Sequence, residues 1–249
     1  MMKSLLLATA AVATFAAAPA LAQDAAGSIG VTYSNTDIDG APEELETWAL
    51  DGVAAMPAFG AWTVTVAADV SQVEFLGEDD TSLSGSVGLS TLVGGDMRLG
   101  GFVSASDAGD DTAWTGGFRA QKYLSKATLT GAVSYTDVAD VDVWSASADA
   151  TFYVTPALSL NAGLSYDNID DADLDAWTYG VGAEYDIGSS PFAVTGGFAR
   201  TNLDAGFGDV DVDTWNLGVR YTFGGNKQSR DRAGATAPAA GITSLIASF

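Results

Sequence analysis

The sequence lacks cysteine and histidine entirely, and only 10 of its 249 residues are lysine or arginine. Without cysteine, no disulfide can hold the fold, so hydrogen bonds and packing must do so. Without histidine, the chain has neither the commonest general base nor the commonest metal ligand. The 32 acidic residues give a net charge of −22. A nucleic-acid partner is disfavoured, because binding phosphates requires a basic surface.

The chain also lacks long hydrophobic runs after its first residues. Residues 1–22 carry Lys3, an apolar stretch and the sequence Ala20-Leu21-Ala22, which is typical of a secretory signal peptide cut before Gln23. An N-terminal membrane anchor is the alternative, but the stretch is short and contains Pro19. Beyond residue 22 no run approaches the roughly 18 apolar residues of a helical span, which excludes a helical membrane protein.

Catalytic motifs are missing as well. Serine hydrolases need a histidine beside the nucleophile, and the sequence shows neither a glycine-rich phosphate loop nor a Cys/His metal cluster. We therefore expect a protein that is not an enzyme.

What the sequence does contain is regular alternation of apolar and polar residues. It predicts an all-β protein of twelve strands, with ten as the fallback number, in one antiparallel up-and-down barrel over residues 23–223. Five tight connections alternate with six longer, acidic ones. The predicted strands are 27–36, 47–56, 61–72, 82–93, 97–106, 113–123, 127–137, 143–154, 158–167, 176–187, 191–202 and 212–223.

A repeated motif places one tryptophan just after each of five acidic stretches, at the head of a strand. A sixth copy has Leu83 at that position, and successive copies lie 30 to 38 residues apart, about one hairpin each. Aromatic rings at one height on successive strands suit the boundary between lipid and water. The predicted girdle consists of Trp48, Trp114, Trp144, Trp177 and Trp215.

The pleat sorts the other side chains by face. On the last strand Leu217, Val219 and Tyr221 share the tryptophan face, while Arg220 and small or polar residues lie opposite. Charged residues fall on the face opposite tryptophan, as a transmembrane strand requires, because a charge facing lipid costs about 2–4 kcal/mol. Alternation alone leaves open a soluble barrel whose apolar face points inward.

Seven charged residues are predicted to line the inside. Arg119, Asp149 and Arg220 each lie five residues below the tryptophan level, near the middle of the membrane. A mixed ring of charges would set ion preference, whereas salt bridges closing a solid interior are the alternative. The predicted pore-lining residues are Asp51, Asp69, Arg98, Arg119, Asp149, Glu184 and Arg220.

One acidic loop carries a calcium-like pattern. Asn35, Asp37, Asp39 and Glu46 match the spacing of an EF-hand loop. Asn35 replaces the usual first aspartate and no flanking helices are predicted, which favours an incidental match. We expect at most weak binding of calcium or magnesium by the acidic loops, and no other cofactor.

The final strand carries a family resemblance. Asn216, Gly218, Tyr221 and Phe223 match the polar-x-Gly-x-x-aromatic-x-aromatic signal of Gram-negative outer-membrane proteins. With the leader and the repeated hairpins, residues 23–223 resemble the small porins and porin-like proteins of proteobacteria. The resemblance implies location in the bacterial outer membrane and contact with the barrel-assembly machinery. In such proteins the phenylalanine usually ends the chain, whereas here residues 224–249 follow it.

Three interpretations of residues 224–249 remain open. They form a disordered periplasmic tail, or they enter the acidic lumen through Lys227, Arg230 and Arg232 and restrict it, or they contact the cell wall or a partner. The first is favoured, because the stretch is rich in glycine and alanine.

The predicted function is a porin-like channel for passive diffusion of ions and small hydrophilic solutes, with a preference for cations. The alternative is a closed structural or adhesive barrel whose acidic loops bind divalent cations, lipopolysaccharide or another surface. The sequence leaves a monomer and a homo-oligomer equally open.

Overall fold

A computed structural model of the protein shows one closed antiparallel barrel of twelve strands. The structure describes residues 25–75, 78–109, 111–138, 141–169, 174–204 and 208–238, so the predicted signal peptide lies outside the described residues. Each strand pairs with its sequence neighbours, and β1 pairs with β12. The strands are β1 (Ala26–Ile38), β2 (Leu45–Pro57), β3 (Trp62–Phe75), β4 (Glu78–Val93), β5 (Met97–Ala108), β6 (Asp111–Tyr123), β7 (Ala127–Val138), β8 (Val141–Tyr153), β9 (Leu158–Ile169), β10 (Leu174–Asp186), β11 (Phe192–Asp204) and β12 (Asp209–Phe223).

One short helix, α1 (Lys227–Ala233), follows the last strand in this part of the chain. No helix among the described residues is long and apolar enough to cross a membrane.

All twelve predicted strands are present, so the fallback number of ten is not needed. Several strands extend further toward the acidic side than predicted: β12 begins at Asp209 rather than 212, and β1 ends at Ile38 rather than 36. Cross-strand hydrogen bonding supports these extensions, since the Asp39 amide donates to the Asp211 carbonyl at 2.9 Å. Acidic residues that the sequence placed in loops therefore lie on strands.

The pleat directs the two faces as predicted for a membrane barrel. On β12, Trp215, Leu217, Val219 and Tyr221 are exposed on the outside, whereas Asn216, Gly218 and Thr222 are buried on the inside. The interior is largely polar or small, with buried hydroxyls on most strands and few large apolar side chains such as Phe102. A soluble barrel with an apolar interior is thereby excluded, because the large apolar side chains face outward.

The five tryptophans of the predicted girdle all point outward, with 46–62 % of each side chain exposed. Most of them contact a tyrosine ring on the neighbouring strand, with ring centroids 5.1 Å apart for Trp48 and Tyr33 and 4.9 Å apart for Trp177 and Tyr166. Such pairs hold the rings at one height on the outer surface.

The barrel closes where β1 meets β12 in a continuous register from Gly27 opposite Phe223 to Ile38 opposite Val212. Phe223, the last residue of the assembly signal, packs over Gly27, so a Cβ added there would lie 2.7 Å from the phenyl ring. The closed seam pairs the backbones of the first and last strands with each other. This pairing is required because lipid offers no hydrogen-bond partners to an open strand edge.

Candidate functional site: the barrel interior

The interior contains a cavity of about 650 Å³. Its wall is made largely of serine, threonine, alanine and glycine, because every second residue of each strand points inward and most of these are small. Six charged barrel side chains also line it: Asp51, Asp69, Asp149, Asp167, Glu184 and Arg220.

Two of the acids on the cavity wall have no ion-pair partner within the described part of the chain. Arg220 pairs with Asp51 at 2.7 Å, but Asp69, directly opposite Asp51 on the next strand, shares no basic partner with it. Among the described residues, no lysine or arginine forms an ion pair with Asp69 or Asp149. The cavity therefore keeps acidic side chains facing its open space.

After β12 the chain turns back into the barrel. Gly224 and Gly225 have φ values of 83° and 109°, a backbone conformation that favours glycine. The Asn226 side chain then caps α1 by accepting a hydrogen bond from the Ser229 amide at 3.0 Å. Gly234, at φ 96°, ends the helix. We call residues 224–238 the C-terminal insert.

Buried charges hold the helix of the insert at the short-turn end of the barrel, where the tight connections between strands lie. Arg230, whose side chain is 4 % exposed, pairs with Glu184 and also lies 3.4 Å from Asp186. Asp231 accepts hydrogen bonds from Lys227 and Tyr153, each at 2.8 Å. Burial would lower the pKa of Lys227, but Asp231 and Glu184 raise it above the ordinary lysine value, so this residue stays charged.

Beyond the helix, the insert runs along the arginine-bearing wall, the part of the barrel that carries Arg98 on β5 and Arg119 on β6. Thr65 donates to the Gly234 carbonyl at 2.9 Å, and Arg98 donates to the Arg232 carbonyl at 2.9 Å. Arg119 reaches two carbonyls, Ala237 at 2.8 Å and Thr236 at 3.1 Å. The backbone of the insert thus accepts the hydrogen bonds of Arg119 and completes those of Arg98, which also donates to Tyr123 and Ser90 of the wall.

The described insert ends near mid-depth. A Cβ placed on Gly88, five residues along β4 from Leu83, would lie 3.3 Å from the Cβ of Pro238. Residues 227–238 therefore lie in the mouth and lumen of the barrel, which differs from the favoured interpretation of a periplasmic tail. Lys227 and Arg230 meet an acid of the lumen, Glu184, as in the second interpretation. Arg232 instead donates to the Leu124 carbonyl in a tight turn. Residues 239–249 lie outside the described residues.

All seven residues predicted to line the pore lie on the inner face, but they do not form one mixed ring. Arg220 is engaged by Asp51, and Glu184 by Arg230 of the insert. Arg98 and Arg119 are bound to backbone carbonyls of the insert. The arginines are thus occupied, while Asp69 and Asp149 remain on the cavity wall.

Sequence reasoning missed the residues that receive the insert. Tyr123 and Tyr153 are buried at the short-turn ends of β6 and β8, where Tyr123 accepts a hydrogen bond from Arg98 at 3.0 Å. The helix itself had a signal: an asparagine at the N-cap position and a glycine just after the last turn flank residues 227–233. Seven residues are too few for that signal to stand out from a flexible linker.

The calcium-like residues do not form a loop around one point. Asn35 and Asp37 lie on β1, Glu46 lies on β2 opposite Asn35, and Asn35 donates to Glu44 at 2.7 Å. Within the described ranges, no group of three or more acidic residues is placed to hold a metal ion. Weak binding of calcium or magnesium by the acidic loops stays a prediction.

The four residues of the assembly signal lie on both faces of β12. Asn216 and Gly218 point inward, and a Cβ on Gly218 would lie 2.7 Å from the Thr195 hydroxyl and 2.9 Å from that of Thr32. Tyr221 and Phe223 point outward, with Tyr221 against the Phe192 ring at 5.9 Å. Their recognition by the assembly machinery stays a prediction.

Solved structures with similar folds are outer-membrane barrels. The COG4313 outer membrane channel from Pseudomonas putida F1 has a TM-score of 0.59 at 12 % identity, with 80 % of this chain and 95 % of that chain covered. The translocator domain of the autotransporter NalP from Neisseria meningitidis scores 0.56 at 11 % identity, covering 88 % and 96 %. The KdgM porin scores 0.54 at 10 % identity, covering 78 % and 99 %. At such identities the likeness shows the fold alone.

No curated protein matches the sequence. The family described as "Outer membrane protein beta-barrel domain" matches residues 8–223, which is most of the chain and includes all twelve strands. With the outward tryptophan girdle and the polar interior, this match places the protein in the bacterial outer membrane, in contact with its lipid. The chain belongs to the outer membrane protein beta-barrel domain family.

Proposed function

We propose that this protein is a porin-like channel through which ions and small hydrophilic solutes diffuse passively, with a preference for cations. The observation that carries the proposal is the cavity of about 650 Å³, whose wall holds Asp69 and Asp149 outside any ion pair among the described residues. A space with small polar walls admits hydrated solutes, and acids facing it raise the local concentration of cations.

The distribution of charge supports the direction of the preference. Arg98 and Arg119 are covered by the C-terminal insert, and Arg220 is paired with Asp51. Asp69 and Asp149 line the cavity, whereas Arg98 and Arg119 do not. Channels and porins of known structure with the same fold, such as the COG4313 channel and the KdgM porin, are consistent with a role in passage.

The test is conductance of the refolded mature protein in a planar bilayer under a salt gradient. We expect discrete steps with a reversal potential on the cation side. Asp149→Asn and Asp69→Asn should each shift that potential toward zero. Asp137→Asn, which removes the same charge from the outer surface beside Trp114, is the matched control and should leave it unchanged.

A second candidate, a closed structural or adhesive barrel, is favoured by one observation. Acidic residues lie on the outer face two positions before tryptophans of the girdle, held by neighbours: Tyr135 donates to Asp142 at 2.6 Å and Tyr166 to Asp175 at 2.7 Å. This height would meet the phosphates of lipopolysaccharide through bridging divalent cations. A correctly folded barrel without conductance would contradict the channel and favour this candidate.

A further inference from the structure

We propose that the C-terminal insert, residues 224–238, sets the size limit of the pore by occupying the arginine-bearing side of the lumen. The inference rests on the proposed channel function. It assigns the limit to a segment that follows the barrel in sequence and is not one of its strands.

Contacts with widely separated strands hold the insert inside the barrel. It is bonded to β3 through Thr65, to β5 through Arg98 and to β6 through Arg119. On the far side it is bonded to β8 through Tyr153 and to β10 through Glu184. A segment tied to strands on both sides of the lumen necessarily crosses the path between them.

Charged side chains are buried on both the insert and the barrel wall, which indicates that the two are complementary. The Arg230 and Asp231 side chains are only 4 % and 5 % exposed, and the Glu184 and Asp186 side chains facing Arg230 are 12 % and 13 % exposed. Charges this buried are tolerated when paired and costly when not. Without the insert, Glu184 and Asp186 would lose their cation, and Arg98 and Arg119 would lose their carbonyl acceptors.

The remaining cavity lies beside the insert, within the ring of strands. Lys227, Ala235, Thr236 and Pro238 line it on the insert side, and Asp51 and Asp69 line it on the barrel side. A solute that passes must therefore fit beside the insert. Removing the insert would widen the passage toward β5 and β6 without removing any strand, because β12 ends at Phe223.

The placement can be tested without reference to transport. The chain has no cysteine, so Gly88→Cys with Pro238→Cys creates the one pair able to form an intramolecular disulfide. Their Cβ atoms would lie 3.3 Å apart, close to the usual disulfide separation of about 3.8 Å. We expect oxidation of the folded full-length barrel to cross-link the pair, seen as faster migration after denaturation.

Gly116→Cys with Pro238→Cys is the control and should not cross-link, because Gly116 has no neighbouring atoms at its Cβ and faces outward. Absence of the Gly88–Pro238 cross-link in a folded barrel would overturn the proposal.

The size limit is then measured as conductance and as permeation of neutral polymers of graded size. Two variants release the insert: Arg230→Glu in the full chain, which sets three carboxylates together, and a chain truncated after Phe223. Both should conduct at least twofold more than the full-length protein and admit larger polymers, and the oxidised cross-linked pair should keep the smaller limit. Heat-modifiable migration confirms that each variant is folded.

The outcomes separate the two proposals. Equal conductance and equal polymer limit in the full-length and truncated barrels would overturn the insert's role while leaving the channel intact. Conductance from the truncated barrel alone would support the insert as a complete seal and contradict an open channel in the full chain. No conductance from either folded barrel would overturn both.

Discussion

At the scale of single residues, the interior is organised by what each arginine can reach. Arg220 lies within 2.7 Å of Asp51, and it pairs within the wall. Arg98 and Arg119 point toward the lumen, where backbone carbonyls of the insert accept their hydrogen bonds. A buried guanidinium must find acceptors, so the position of the insert follows from these two side chains as much as from its own sequence.

The buried pair between Arg230 and Glu184 should dominate the docking of the insert. Arg230→Ala leaves Asp186 without a cation and Glu184 with only Lys227, 3.9 Å away. Removing one member of a buried pair costs about 3 kcal/mol. That is roughly a 100-fold rise in the undocked population. It would be measured as the labelling rate of Ala237→Cys by a water-soluble thiol reagent.

Lys122→Ala is the matched control for that substitution. Its ion pair with Asp96 is exposed, with 46 % and 55 % of the side chains accessible, and exposed pairs contribute about 1 kcal/mol or less. Labelling at position 237 should not change. Equal effects of the two substitutions would contradict the assignment of Arg230 as the principal contact.

At the scale of elements, the turn after β12 directs the insert into the barrel, and the girdle sets the height of the strands in the membrane. The turn requires φ values of 83° and 109° at consecutive glycines, which no pair of ordinary residues adopts without strain. The girdle places a tryptophan at the same height on five of the six even-numbered strands, and tyrosines on β1, β7 and β9 pack against four of these rings.

Gly224→Ala should weaken the turn into the barrel. The substitution imposes backbone strain of about 1–2 kcal/mol at positive φ, and its Cβ would lie 2.5 Å from the Ala26 Cα. Gly95→Ala is the control, since Gly95 has φ 84° with nothing within 4 Å of the added Cβ. We expect Gly224→Ala alone to reduce the yield of the Gly88–Pro238 cross-link. Equal yields would show that the turn tolerates a side chain.

The tryptophans should differ in their contribution to stability. Trp177→Leu removes a ring contact with Tyr166 at 4.9 Å, whereas Trp114 lies opposite Asp137 and Ala105. The free energy of unfolding from vesicles in urea should fall by about 1 kcal/mol more for Trp177→Leu than for Trp114→Leu. The same loss in both variants would mean that the ring pairs do not contribute.

At the scale of the whole molecule, closure of the barrel depends on the seam between the first and last strands. The assembly signal supplies β12, and its final phenylalanine packs over Gly27 of β1. The residue that ends the signal therefore also covers the seam, and the insert begins immediately after it.

Gly27→Val should impair closure, because its side chain would meet the Phe223 ring and the backbone of β2. Gly116→Val places the same side chain on the same outer face where nothing lies within 4 Å of the Cβ. The heat-modifiable, folded band should be lost or weakened in the first variant and retained in the second. Retention in both would show that the seam can shift to accept the larger residue.

The sequence by itself determined the barrel. Alternation with a period of two fixes which side chains face lipid, and the cost of a charge in lipid forces Asp51, Arg119, Asp149, Glu184 and Arg220 to the inner face. The recurring tryptophans fix the height of each strand. These are local constraints, so each can be identified from a short stretch of sequence, and twelve strands were correctly placed within a few residues.

Only the tertiary structure decided how the interior is divided. The partners of Glu184, Arg98 and Arg119 lie 46, 134 and 118 residues away in the chain, and no local pattern encodes contacts at that separation. A run rich in glycine and alanine has weak preferences of its own, and it becomes ordered because buried charges and unsatisfied donors of the barrel wall stabilise it. The barrel wall was predictable from the sequence. The position of the C-terminal insert in the lumen was decided by hydrogen bonds and ion pairs between residues far apart in the chain.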